Sequence, residues 1–243
     1  MKRIKITFSY DGSKFFGSQI QKNKQMPTVI GVMQKAFLKL GIDQSLQASG
    51  RTDRGVHALN QVCHVDIPTY FSNLEKLRIN INKMIHPAVF IKKIEFIDKD
   101  FHARFSAKMR LYRYLISHDK FNPFMADYCI FKPDLDTRSL YDNSQLFVGT
   151  HDFGYFRKEG SETKTDIRTI YKTGAYRYKN NTIIYFLGNS FLRSQIRMMC
   201  DFLLKIENHS LTKDDLSMQL EKKTLISKSP LEPQGLYLSK IFY

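Results

Sequence analysis

Apolar and polar residues alternate from the start of the chain, with Ile4, Ile6, Phe8 and Tyr10 on one side of KRIKITFSYDG. A period of two predicts a half-buried strand ending at Asp11-Gly12. The spacing then changes. Val29, Val32, Met33, Ala36, Phe37 and Leu40 recur at helical intervals, which predicts a helix capped by Thr28 and stopped by Gly41. QVCHVDIP reads as a second strand, a helix capped by Ser72 runs to about Met84, and VFIKKIEFI returns as a strand. The second half repeats the order. LYRYLIS is a strand, Asp136 to Phe147 a helix, and RTIYKTGAYRYKNNTIIYFLG a hairpin turning at Asn180-Asn181. A long helix over about Phe191 to Ile206, a short one near Lys213 to Leu220 and the strand GLYLSKIFY complete the chain.

This order predicts an α+β fold of two ferredoxin-like, βαββαβ-like halves. They are expected to share a central, mainly antiparallel sheet, with helices on one face and a cleft on the other. The expected division is 1–104 and 105–243, with the halves packed around a cleft near Ala103 to Met109. No low-complexity segment or long linker separates them, and they share element order without sequence similarity.

Composition narrows the partners. A chain of 243 residues that is 42% hydrophobic can bury a substantial core. Its formal charge of +15, from 38 Lys and Arg against 23 Asp and Glu, points to a polyanion, with nucleic acid ahead of anionic lipid. Cys63, Cys129 and Cys200 are scattered and odd in number, so neither a disulfide framework nor a zinc site is expected. The basic N-terminus alternates at once instead of forming a signal-like apolar run, and TIIYFLG is only strand-sized. The expectation is a soluble, cytoplasmic protein that leaves membranes alone.

Few stretches carry recognisable chemistry. Gly50-x4-Gly55 has the glycine spacing of a P-loop, but Val56-His57 stands where Lys-Ser/Thr would hold phosphate and magnesium. GxGxxG, HExxH and GxSxG are absent. His57 and His64 read as structural residues, because no carboxylate–histidine cluster supports a metal. What remains is SGRTDRGVHA, where Asp53 lies between Arg51 and Arg54 in a glycine-bounded turn. Cationic neighbours favour an ionised carboxylate. A solvated ion pair would stabilise by under about 1 kcal/mol; an acid facing a pocket would be held for chemistry. Both readings stay open from these residues alone.

SGRTDRGVHA closely resembles the signature of the tRNA pseudouridine synthase A family. YDGSKFFGSQ, DFHARFSAKMRLYRY, GTHDFGYFRK, NSFLRSQIRM and PQGLYL agree in order along nearly the whole chain. The resemblance implies isomerisation of a uridine in the tRNA anticodon stem-loop, at positions 38, 39 or 40, by a homodimer needing no cofactor and no metal. It makes Asp53 the catalytic aspartate, adding to the uracil ring or acting on the ribose. Tyr112 matches the tyrosine that packs on the flipped base, and Tyr114 on the same face competes for that role. Arg197 matches the arginine paired with the acid, with Arg193 one turn earlier. Arg51 resembles the residue that braces the RNA where the base leaves its stack. Lys22, Lys24, Arg157 and Lys158 are candidate RNA contacts. Two residues depart from the family pattern: Ser18 stands where Trp is usual, and Arg54 where many members have a small residue. Two rival classes remain, a noncatalytic RNA-binding protein of the same fold and a phosphoryl-transfer enzyme or nuclease built on Gly50 to Gly55.

Overall fold

A computed structural model of the chain describes residues 1–21, 26–160 and 163–243. Among these residues the first unit, Met1–Lys108 with Leu238–Tyr243, carries β1 (Lys2–Tyr10), α1 (Val29–Lys39), β2 (Gln47–Ala48), β3 (His57–Ile67), α2 (Leu74–Ile85) and β4 (Val89–Phe96). The second unit, Met109–Tyr237, carries β5 (Met109–Ser117), β6 (Ile130–Phe131), α3 (Thr137–Ser144), β7 (Gly149–Asp152), β8 (Ile167–Tyr178), β9 (Asn181–Gly188), α4 (Gln195–Glu207) and α5 (Lys213–Leu220). The last strand, β10 (Leu236–Phe242), joins the first unit from Leu238 onward. The expected division at 104/105 assigned that strand to the second half. No helix among the described residues is long and apolar enough to cross a membrane.

In the first unit the sheet runs β4–β1–β3–β10, and β1 is antiparallel to both β3 and β4. The alternation of β1 sends Ile4, Ile6 and Phe8 wholly inside and Tyr10 nearly so. Each such burial stabilises by roughly 1.5–3 kcal/mol. The strand that should follow α1 in a βαββαβ arrangement is reduced to the two residues of β2, paired on β3. Thr28 caps α1 as expected, its Oγ1 accepting from the Gly31 N–H at 3.3 Å. Gly41, at φ +79°, lies just beyond the end of that helix. For α2 the cap is Asn73 and not Ser72: its Oδ1 accepts from the Lys76 N–H at 2.8 Å. Leu77, Ile81 and Ile85, one turn apart, carry that helix's buried face to its last residue.

The stretch after β4 is tied down by charged and aromatic groups. Arg3 forms two 2.8 Å bonds to the Asp66 carboxylate and donates to the carbonyls of Phe101 (2.9 Å) and Lys99. The Tyr243 hydroxyl donates to the Ala103 carbonyl at 2.9 Å, and the Ala103 N–H donates to His64 Nδ1 at 3.2 Å. His64 is buried on β3, as its structural reading requires.

In the second unit the sheet order is β5–β9–β8–β7, with antiparallel neighbours, and β6 lies parallel to the end of β5. Phe147, Phe153, Phe156, Phe186 and Phe202, all buried, form an aromatic core with centroids 5.5 to 6.4 Å apart. The β8–β9 hairpin turns one residue earlier than expected. Tyr178 pairs with Asn181, leaving Lys179 at φ +53° and Asn180 as the two-residue loop. Asp136 caps α3 through the Arg138 and Ser139 N–H groups, and a 3-10 turn continues to Phe147. Helix α4 begins at Gln195, four residues after the expected start. Ser194 at φ +60° cannot continue a right-handed helix backwards. The Leu192 N–H donating to Gln195 Oε1 at 2.8 Å closes the preceding turn.

His64 makes the stability of the first unit pH-dependent. Burial, then the nearby His102 and Arg3, push its pKa down to about 4, with Asp66 and a hydrogen bond to the Gln47 backbone opposing. The folded chain therefore keeps His64 neutral, while the unfolded chain takes up a proton near 6.5. Stability contributed above 6.5 should fall as pH drops and level off below about 4. His64→Asn keeps an acceptor for Ala103 and removes the titration. Its urea midpoint should decline less than the wild type's between those pH values.

Candidate active site

The acid-bearing loop leaves β2 at Ser49 and enters β3 at His57. Its start is held by a buried side chain: Gln61 Oε1 accepts from Ser49 Oγ at 2.6 Å, and its Nε2 donates to the Gly50 carbonyl at 3.3 Å. Its far end is a turn in which the Val56 N–H donates to the Asp53 carbonyl at 3.3 Å. Gly55, third in that turn, takes φ +79°, the conformation a type II turn requires there.

The loop that follows β1 lies directly on this one. A Cβ on Gly12 would stand 2.1 Å from the Val56 carbonyl oxygen, so backbone meets backbone where only glycine fits. The Gly12 N–H donates to His57 Nδ1 at 3.0 Å, which makes that nitrogen an acceptor and the buried ring structural. Thr52 is engaged at all three of its polar groups. Its N–H donates to Ser18 Oγ (2.8 Å), its carbonyl accepts from the Ser18 N–H (3.2 Å), and its hydroxyl meets the Tyr10 hydroxyl (2.7 Å). Ser18, the departure from Trp, is thus a buried hydrogen-bonding group. Arg54, the other departure, lies with its guanidinium carbon 4.2 Å from the centre of the Phe16 ring. Asp53 itself is half-buried, and Arg51 is exposed.

Tyr112 and Arg197 belong to the second unit. On β5 the two tyrosines of LYRY share a face, as alternation requires, yet their surroundings differ. Tyr114 is fully buried; its hydroxyl donates to the Glu232 carbonyl at 2.6 Å. A Cβ on Gly235 would come within 2.6 Å of its ring. Burial pushes this phenol far above its ordinary pKa. Tyr112 is half-buried, with its ring edge-on to Phe191 at 5.4 Å. Arg197, on the first turn of α4, donates from Nε to the Leu231 carbonyl at 2.6 Å, and the Leu231 N–H returns to the Arg197 carbonyl at 3.1 Å. Arg193 is off the helix, donating to the Glu159 carbonyl at 3.2 Å.

A family model described as tRNA pseudouridine synthase matches residues 6–106 and 144–243. The chain belongs to the tRNA pseudouridine synthase family. Curated relatives named tRNA pseudouridine synthase A are similar over all or nearly all of their length. That of Campylobacter jejuni subsp. doylei is 42% identical over 243 residues, all of both chains. That of Limosilactobacillus reuteri is 40% identical over 252 positions, covering all of this chain and 97% of the other. That of Helicobacter hepaticus is 35% identical over 248 positions, with both chains fully covered.

In this pseudouridine synthase family member the candidate contacts fare unequally. Arg157 is ion-paired with Asp166 (3.2 Å), and Lys158 is exposed. Lys22 and Lys24 lie outside the described residues. Sequence reasoning missed Tyr10, Thr52 and the Arg54–Phe16 stack. A signal was present, since both loops bear family-like stretches, but their contact spans more than thirty positions of chain.

The two tyrosines should separate experimentally. Tyr114→Phe removes a part-buried hydrogen bond to the Glu232 carbonyl, which should cost about 0.5–1.5 kcal/mol. Thermal unfolding should show a clear fall for Tyr114→Phe and a smaller one for Tyr112→Phe.

Proposed function

We propose that this chain isomerises uridine to pseudouridine in tRNA, at positions 38, 39 and 40 of the anticodon stem-loop. Asp53 is the catalytic carboxylate, Tyr112, Arg51 and Arg197 bind the substrate, and the reaction uses no cofactor or metal. The enzyme works as a cytoplasmic homodimer. The observation that carries this reading is the full-length likeness to the curated relatives, combined with Asp53 on a loop held by backbone contacts.

The chemistry sets the requirements. Breaking the N-glycosidic bond and rejoining the base through carbon conserves every atom. One proton must leave the new carbon attachment point, and one must arrive on the released nitrogen. An ionised carboxylate can serve as nucleophile or base in such a sequence, with no external oxidant or reductant. The base must first leave its stack, which costs a few kcal/mol. A half-buried tyrosine such as Tyr112 can offset part of that by stacking on the extruded uracil. Arg51, exposed on the acid's own loop, is suited to brace the RNA there. The formal charge of +15 supports a tRNA substrate held largely through phosphates.

Asp53→Asn keeps the size of the side chain and removes its charge and nucleophilicity. It should bind unmodified tRNA nearly as the wild type does and form no pseudouridine in single-turnover assays mapped by position. Near-normal turnover by the folded variant would return Asp53 to a salt-bridge role.

The affinity for tRNA should fall steeply as salt rises, because each phosphate contact releases counterions. A flat response of the dissociation constant would remove the electrostatic part of the reading. Sedimentation of the active enzyme should give twice the chain mass of 28.5 kDa.

A further inference from the structure

We infer that Thr52 is the positioning residue for Asp53, held in place by Ser18 and Tyr10; this rests on the reading of Asp53 as the catalytic acid. Thr52 immediately precedes the acid, and each of its polar groups is taken by the end of β1 or by the loop that follows it. The backbone N–H and carbonyl both go to Ser18, and the hydroxyl goes to Tyr10. Ser18 and Tyr10 are buried and Thr52 is half-buried, so these bonds are partly shielded from water.

The backbone geometry of the neighbours enforces the same contact. Gly17 takes φ +97°, a conformation unfavourable to any other residue, and a Cβ there would be 3.1 Å from the Thr52 carbonyl oxygen. On the other side of the acid, the turn from Asp53 to Val56 presses against Gly12. Asp53 is therefore flanked by two anchors that both lead to residues 10–18. The backbone bearing the carboxylate is held on both sides before substrate arrives. Preorganisation of this kind matters because a displacement of about 1 Å at a reacting group can cost about 100-fold in rate.

Thr52→Val removes the hydroxyl and keeps the shape; Tyr10→Phe removes the same hydrogen bond from its other end. The experiment measures the single-turnover rate of pseudouridine formation, the dissociation constant for unmodified tRNA and the thermal midpoint of each variant. Each single substitution should slow turnover by about 10–100-fold and leave tRNA affinity within about twofold. The double variant should be no slower than the slower single one, because both remove one interaction. Thr52→Ser, which restores the hydroxyl, should recover most of the rate. Should Thr52→Val fail to fold, Tyr10→Phe with its intact ring decides the matter. A lowered thermal midpoint with an unchanged single-turnover rate in folded Thr52→Val or Tyr10→Phe would overturn the positioning role. Asp53→Asn is measured alongside: if it is inactive while those variants react at the wild-type rate, only the positioning inference fails. If Asp53→Asn itself turns over normally, the reading of the site fails first.

Discussion

The acid loop depends on one close approach: the backbone of Gly12 against the backbone of Gly55 and Val56. No side chain could occupy residue 12, because its first carbon would fall 2.1 Å from the Val56 carbonyl oxygen. With that contact made, the rest of the first loop is in reach of its partners. Gly12 donates to His57, Ser18 closes on both backbone groups of Thr52, and Phe16 lies under Arg54. The acid is thus carried by directional hydrogen bonds and steric exclusion, neither of which is screened by salt as a surface ion pair would be.

A similar economy operates in the second unit. Gly235 allows the Tyr114 ring to seat against the chain, and the Tyr114 hydroxyl fixes Glu232. The preceding residue, Leu231, exchanges two hydrogen bonds with Arg197. Arg197 is therefore held by backbone that is itself held by a buried phenol. Two tyrosines on one strand face divide the work: Tyr114 is part of this support, and Tyr112 is only half-buried.

Charge follows the same division between structure and surface. Several carboxylates are already matched within their own unit: Asp66 with Arg3, Glu95 with Lys5, Asp152 with Lys222, Asp166 with Arg157 and Asp201 with Lys205. The chain's surplus of cations is large enough to outlast such pairing. A diffuse positive surface suits a folded RNA read by its shape and phosphates.

The sequence alone determined the long elements, because β1, α1, α2, β5 and β9 each bury a face whose period is visible in the order of residues. The six family-like stretches, above all SGRTDRGVHA, also stood in the sequence, and with them the acid and its proposed partners. The two-residue strands β2 and β6 and the short β7 were invisible, being too brief to show a period. The start of α4 was misplaced because a positive φ at Ser194 leaves no mark on hydrophobic spacing. Alternation placed Tyr112 and Tyr114 on one face but could not say which was sealed; that took Gly235 and Glu232, more than a hundred residues away. Thr52 was likewise only a letter between Arg51 and Asp53. Its three hydrogen bonds exist because the fold brings residues 10–18 onto residues 50–57, and contacts between distant segments are set by packing, which local pattern does not encode.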